Sequence, residues 1–204
     1  MLKLCIIAAI VGHILCGVSD CLLAYSKKGR LDLKNINDAE KMSAMFADMP
    51  LSYPLSSALL GVFAIALFSF GYLGLSCYIR EYSSAASVIM LISTILYTVP
   101  IAAHHVLFAA IEWLYIRLGR TNEAREAVLE LQKRTIATMF VGYLGLLVFV
   151  VTLFVMIVSG STGLPQWACV FNTFIAMLLL LPTKLPAKGN IAGAVMFLGL
   201  LFVV

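Results

Sequence analysis

The sequence predicts an all-α, polytopic transmembrane bundle of about six spans, and three observations carry that prediction. Apolar residues make up 62% of the chain and charged residues only 12%, whereas soluble domains carry about 25% charged residues. A soluble fold of 204 residues could not hide that much apolar surface in one core. The apolar side chains also fall in six long runs, beyond the ~14 residues usual for a buried soluble helix. The alternating segments of about 10 residues that mark a transmembrane barrel do not occur.

The first span covers about residues 4–25. One lysine precedes it and no small-x-small cleavage site follows, so it reads as a retained span and not as a removable signal. A polar stretch, residues 26–50, comes next. Within it Asn37 and Glu40 have capping-box spacing, and Met42, Met45, Phe46 and Met49 share one helical face. This short amphipathic helix is expected to lie along the membrane surface. Pro50 and Pro54 bracket the turn into the second span, residues 55–79.

The third span, 85–111, runs on without a strong break to Arg117. That is about 33 residues, or about 50 Å of helix, against a hydrocarbon core of about 30 Å. The expectation is a helix that passes through Pro100 with a kink and protrudes. Residues 118–122 make a turn into a charged stem that continues as the fourth span, 135–158. Glu126, Glu130 and Arg134 stand four apart on that stem. Residues 112–134 thus read as a protruding helical hairpin between spans three and four. The fifth span is placed at 167–181 and the sixth, short for a crossing, at 190–204.

Lysine and arginine in the loops set the orientation. One side carries Lys27, Lys28, Arg30, Lys34, Lys41, Arg117, Arg120, Arg125, Lys133, Arg134, Lys184 and Lys188, and the other only Lys3 and Arg80. Twelve against two puts the charged loops in the cytoplasm and both termini outside, in a multi-pass cell-membrane protein. Those loops mix acids with bases, so the partners indicated are the bilayer and its anionic inner leaflet, not nucleic acid.

Ionisable groups within hydrocarbon cost about 2.5–3.5 kcal/mol at mid-span, so they usually face a partner or a wet cavity. Here they are His13 and Asp20 in the first span and His104 and His105 in the third, with Glu112 near the exit of the third. Ala9, Gly12, His13, Cys16, Gly17 and Asp20 share one stripe, where small residues let a neighbouring helix approach. By depth, Asp20 meets the two histidines, with Tyr53 and Ser57 entering on the second span and Thr135 and Thr138 on the fourth. His13 lies nearer the middle and Asn172 in the outer half. The expected site is a cytoplasm-facing polar pocket of Asp20, Tyr53, Ser57, His104, His105 and Glu112 that binds a small solute or lipid.

Two other readings stay open. Asp20 and the histidines can serve only as helix-packing glue, or they can hold a zinc ion for lipid hydrolysis. Intramembrane hydrolases of the alkaline ceramidase and adiponectin receptor type carry an H-x-x-x-H pair in a late span. The doublet here is adjacent and the late spans hold no histidine, a departure from that pattern. No catalytic residue, cofactor or metal site is otherwise read. P-loop, H-E-x-x-H and G-x-S-x-G motifs are absent. Cys5, Cys16, Cys21, Cys77 and Cys169 form no CxxC and read as small buried residues.

Gly17–Tyr25 reads G-x-x-D-x-L-L-x-Y, Gly71–Leu75 reads G-Y-x-G-L, and a third span carries histidine and then glutamate. This half of the chain resembles an uncharacterised group of bacterial multi-span integral membrane proteins. The resemblance implies a bacterial origin and a role for Asp20, and assigns no activity.

Overall fold

The computed structural model describes residues 1–27 and 29–204. Lys28, one of the basic residues counted above, lies outside the described residues. Four helical stretches are long and apolar enough to cross a membrane. The first, α1, is Leu2–Ala24. A two-residue antiparallel ladder follows, β1 (Tyr25–Ser26) with β2 (Gly29–Arg30). Then come α2 (Ala39–Phe46), α3 (Ser52–Ile79) and α4 (Ser84–Arg117).

The turn at Leu118–Thr121 uses left-handed backbone at Gly119 and Arg120. It leads into α5 (Asn122–Thr135) and, across the single non-helical residue Ile136, into α6 (Ala137–Val158). The chain closes with a 3-10 turn, Gln166–Val170, then α7 (Thr173–Leu180) and α8 (Lys188–Leu201).

Glycines bring the long helices together. A Cβ at Gly12 of α1 would stand 2.5 Å from the Phe68 amide nitrogen of α3, and one at Gly145 of α6 2.6 Å from the Tyr97 nitrogen of α4. Such approach leaves backbone against backbone, which only glycine permits. A mostly aliphatic core holds an aromatic cluster at its centre: Phe68, Tyr72, Phe149 and Phe197 are fully buried. His13 stacks on Phe68 at 4.4 Å between ring centroids. Around the outside Leu59, Phe63, Ile95, Val99, Phe140 and Leu144 are each more than half exposed. That is an apolar belt far larger than a soluble monomer carries.

Several expectations need correction. The cap of α2 is Asp38, whose carboxylate accepts from the Lys41 amide at 3.1 Å, and not Asn37. The apolar face of α2 does not lie free along a surface. Met42, Phe46 and Met49 bury themselves with Ile111, Tyr115 and Val128, because the C-terminal part of α4 and α5 offer an apolar partner. Pro54 sits inside the first turn of α3, where its missing N–H costs nothing. α4, by contrast, passes through Pro100 to Arg117 as the sequence led one to expect.

The expected helix over 167–181 is instead broken. Asn172 stops the 3-10 turn, donates to the Val150 carbonyl at 2.9 Å and caps α7 by accepting from the Phe174 amide. The side chain thus satisfies one amide that the interrupted backbone leaves free and fastens the break to α6. All five cysteines are free, but only Cys16 is buried and Cys77 is exposed.

Candidate functional site

The last turns of α1 present Ser19 and Asp20 about 100° apart, and the two side chains serve different neighbours. Ser19 faces α3. Its hydroxyl donates to the Ser57 carbonyl at 2.9 Å, and the Ser57 hydroxyl donates to the Ser19 carbonyl at 2.9 Å. The His105 ring enters this knot from α4, with Nε2 2.8 Å from the Ser19 oxygen and 3.1 Å from the Ser57 carbonyl. Both hydroxyl protons are already spent, so Nε2 must be the donor.

The other ring nitrogen, Nδ1, stands 3.7 Å from an Asp20 carboxylate oxygen. An imidazole already protonated at Nε2 makes an ion pair there only by carrying a second proton.

The second Asp20 oxygen accepts from Asn190 Nδ2 of α8 at 2.8 Å. A carboxylate only accepts, so the Asn190 amide turns its oxygen to His13, 3.0 Å from Nδ1. His13 thus donates from Nδ1 and accepts the Tyr72 hydroxyl at Nε2, 3.2 Å away. A hydrogen-bonded chain runs from Asp20 through Asn190 and His13 to Tyr72 and ties α1 to α8 and α3. Each of these two histidines lies against a glycine: His105 covers Gly61 and His13 covers Gly193, where a Cβ would collide with the ring.

Asp20, His104, His105 and Glu112 line one cavity of about 1020 Å³, at the upper end of the range for small-molecule sites. Its lining includes the apolar and aromatic side chains of Phe68, Tyr97, Ile101, Phe108 and Leu146, with half-exposed Tyr143 beside them. Its mouth carries Arg30, Lys34, Lys184 and Lys188, with Asp32 among them. Arg30 reaches across to the Lys184 carbonyl at 2.6 Å, so the end of β2, where a strap of residues 31–38 begins, meets the loop before α8. His104 turns away from its neighbour toward α6, 3.4 Å from the Thr138 hydroxyl.

The structure therefore brings Asp20, Ser57 and His105 into contact and puts His104 and Glu112 on the wall of the same space. Tyr53 is elsewhere: it packs with the Met42 and Tyr115 cluster and does not line the cavity. Sequence reasoning passed over Ser19 and Tyr72, and left Asn190 at the start of the last span. Among the described residues no three His, Cys, Asp or Glu side chains are grouped to hold a metal ion.

A family profile matches the whole chain, residues 1–204. The chain belongs to the family of unknown function DUF6796. No curated protein and no solved structure matches it. The DUF6796 assignment is in keeping with the uncharacterised group that the first half of the sequence resembles, and it brings no activity.

Proposed function

We propose that this DUF6796 chain is an integral membrane protein that binds an amphiphile in the cavity between α1, α4, α6 and α8, through a mouth that opens to the cytoplasm. The observation that carries the reading is the layering of that cavity. Four cations rim an aromatic chamber, with ionisable groups between them. An anionic headgroup suits the rim and an acyl chain suits the chamber. Intramembrane ionisable groups on a cavity wall are functional by default.

The topology we propose has six crossings. Four are the long apolar stretches. The fifth is the discontinuous run of the 3-10 turn and α7, and the sixth is α8. Non-helical backbone at that depth is tolerated where it is buried in protein, and Asn172 caps α7 and ties the break to α6. The basic excess puts the Lys184–Lys188 end in the cytoplasm, with both termini outside and the α4–α5 hairpin protruding into the cytosol. A bacterial origin rests on the resemblance of the first half alone.

One observation favours a second reading, in which the polar residues are only glue. The Asp20–Asn190–His13–Tyr72 chain joins three helices without any ligand. Native mass spectrometry of purified protein with added dioleoyl phospholipids separates the two. The binding reading predicts a bound lipid that Asp20→Asn and His105→Ala lose while still eluting as folded protein. The glue reading predicts variants that lose only thermal stability.

A further inference from the structure

Glu112 is 3% exposed, and neither of its carboxyl oxygens has a hydrogen-bond partner among the described residues. Burying a carboxyl group with no donor is expensive, so such a group persists where something else supplies one. It lines the same cavity as Arg30, Lys34, Lys184 and Lys188, and none of these four forms an ion pair among the described residues.

The helix carries Glu112 two turns past His105, about 10 Å along the axis, toward the strap after β2. Leu31 of that strap and Ile111, the neighbour of Glu112, share one apolar cluster. A buried acceptor thus borders the mouth that holds the cations. A buried carboxyl group without a partner and cations without a counter-charge among the described residues face one space.

We infer that the cavity recognises a zwitterionic headgroup, with an anionic phosphate held by the basic rim and a primary ammonium donating its N–H groups to Glu112. This rests on the amphiphile reading above and names the class of its ligand. A quaternary ammonium has the charge but no N–H, and leaves the Glu112 oxygens bare. A purely anionic head leaves them bare as well. The other acids are already engaged: Asp20 accepts from Asn190, and exposed Asp32 accepts from the Lys34 amide at 3.1 Å.

The test uses the full chain in detergent micelles with dioleoyl phosphatidylethanolamine, phosphatidylcholine or phosphatidylglycerol, read by native mass spectrometry. The wild type is expected to bind the ethanolamine lipid about tenfold more tightly than either of the others, the worth of one charge-assisted hydrogen bond. Glu112→Gln, checked for wild-type elution, is expected to bring that preference within about twofold, and Glu112→Asp to keep part of it.

Equal binding of the three lipids by the wild type, or an undiminished preference in Glu112→Gln, overturns the ammonium assignment and leaves an amphiphile site standing. Binding of none of them removes the site itself. Glycerophosphoethanolamine, the same headgroup without tails, is the second arm. If it competes as well as the lipid, the headgroup chemistry holds but belongs to a free solute, which contradicts the amphiphile reading. If it fails to compete, both stand.

Discussion

The imidazole of His105 lies directly over Gly61, in the space that any other residue on α3 would fill with its Cβ. That vacancy lets a ring on α4 reach past α3 to the Ser19–Ser57 knot and still turn Nδ1 toward Asp20. The site therefore depends on a residue that makes none of its hydrogen bonds.

Gly61→Ala is expected to push the His105 ring out of the knot. Overpacking of this kind costs about 1–3 kcal/mol, and the ring cannot yield without losing its contacts to Ser19 and Ser57. The melting temperature in detergent should fall and lipid binding should fall with it. Ala66→Gly, on the same helix beyond the site, serves as the control. An unaltered Gly61→Ala protein would mean that the ring has room to move.

Asn190 is the hinge of the second network, since its amide satisfies Asp20 and His13 together. Asn190→Ala should cost about 1 kcal/mol, between the ~0.6 kcal/mol average for hydrogen bonds in membranes and the penalty for a buried unpaired group. Asn190→Asp should be worse at neutral pH, because it sets a second carboxylate against Asp20. Thermal melts of the two variants give the order. Equal stability of the two would contradict the bonding pattern described for Asp20.

The cap of α2 gives a pH effect outside the bundle. The backbone amide of Lys41, followed by its ammonium group, holds the Asp38 carboxyl below the ordinary carboxylate range. A depressed folded value stabilises the helix above that range, and the benefit is lost as pH falls through the lowered value. Pepsin cleavage within residues 31–50 should thus be slower in the wild type than in Asp38→Asn at mildly acid pH, and the two rates should converge on further acidification. A constant ratio would sink the assignment.

These elements were unequally legible in the sequence. The four long helices could be read from apolar runs that nothing else explains. The break at Asn172 could not, because residues 167–181 are apolar on both sides of it and one asparagine gives no direction to its bonds. Matching residues by depth placed Asp20 beside His105, which stand 3.7 Å apart, and failed for Tyr53. Depth fixes a level along the bundle but not the side of the helix, and Tyr53 turns toward α2. Ser19 went unnoticed because a neutral hydroxyl in a span carries no insertion penalty large enough to draw notice.

The orientation can be checked by labelling. In a cysteine-free background, Ser161→Cys should react with an impermeant maleimide on intact cells. Glu126→Cys, on the exposed face of α5, should react only after permeabilisation. The reverse pattern would invert the proposed topology and put the basic mouth outside.

The central claim is that an amphiphile occupies the chamber behind the basic mouth, and photo-crosslinking in vesicles tests it most directly. A phosphatidylethanolamine with a diazirine in its acyl chain is irradiated with the wild-type protein, and the adducts are mapped by peptide mass spectrometry. The account predicts adducts on the chamber wall, at Tyr97, Ile101, Phe108 or Leu146, that free unlabelled lipid suppresses. Adducts confined to the outward belt, at Phe63, Ile95 and Leu179, would contradict it.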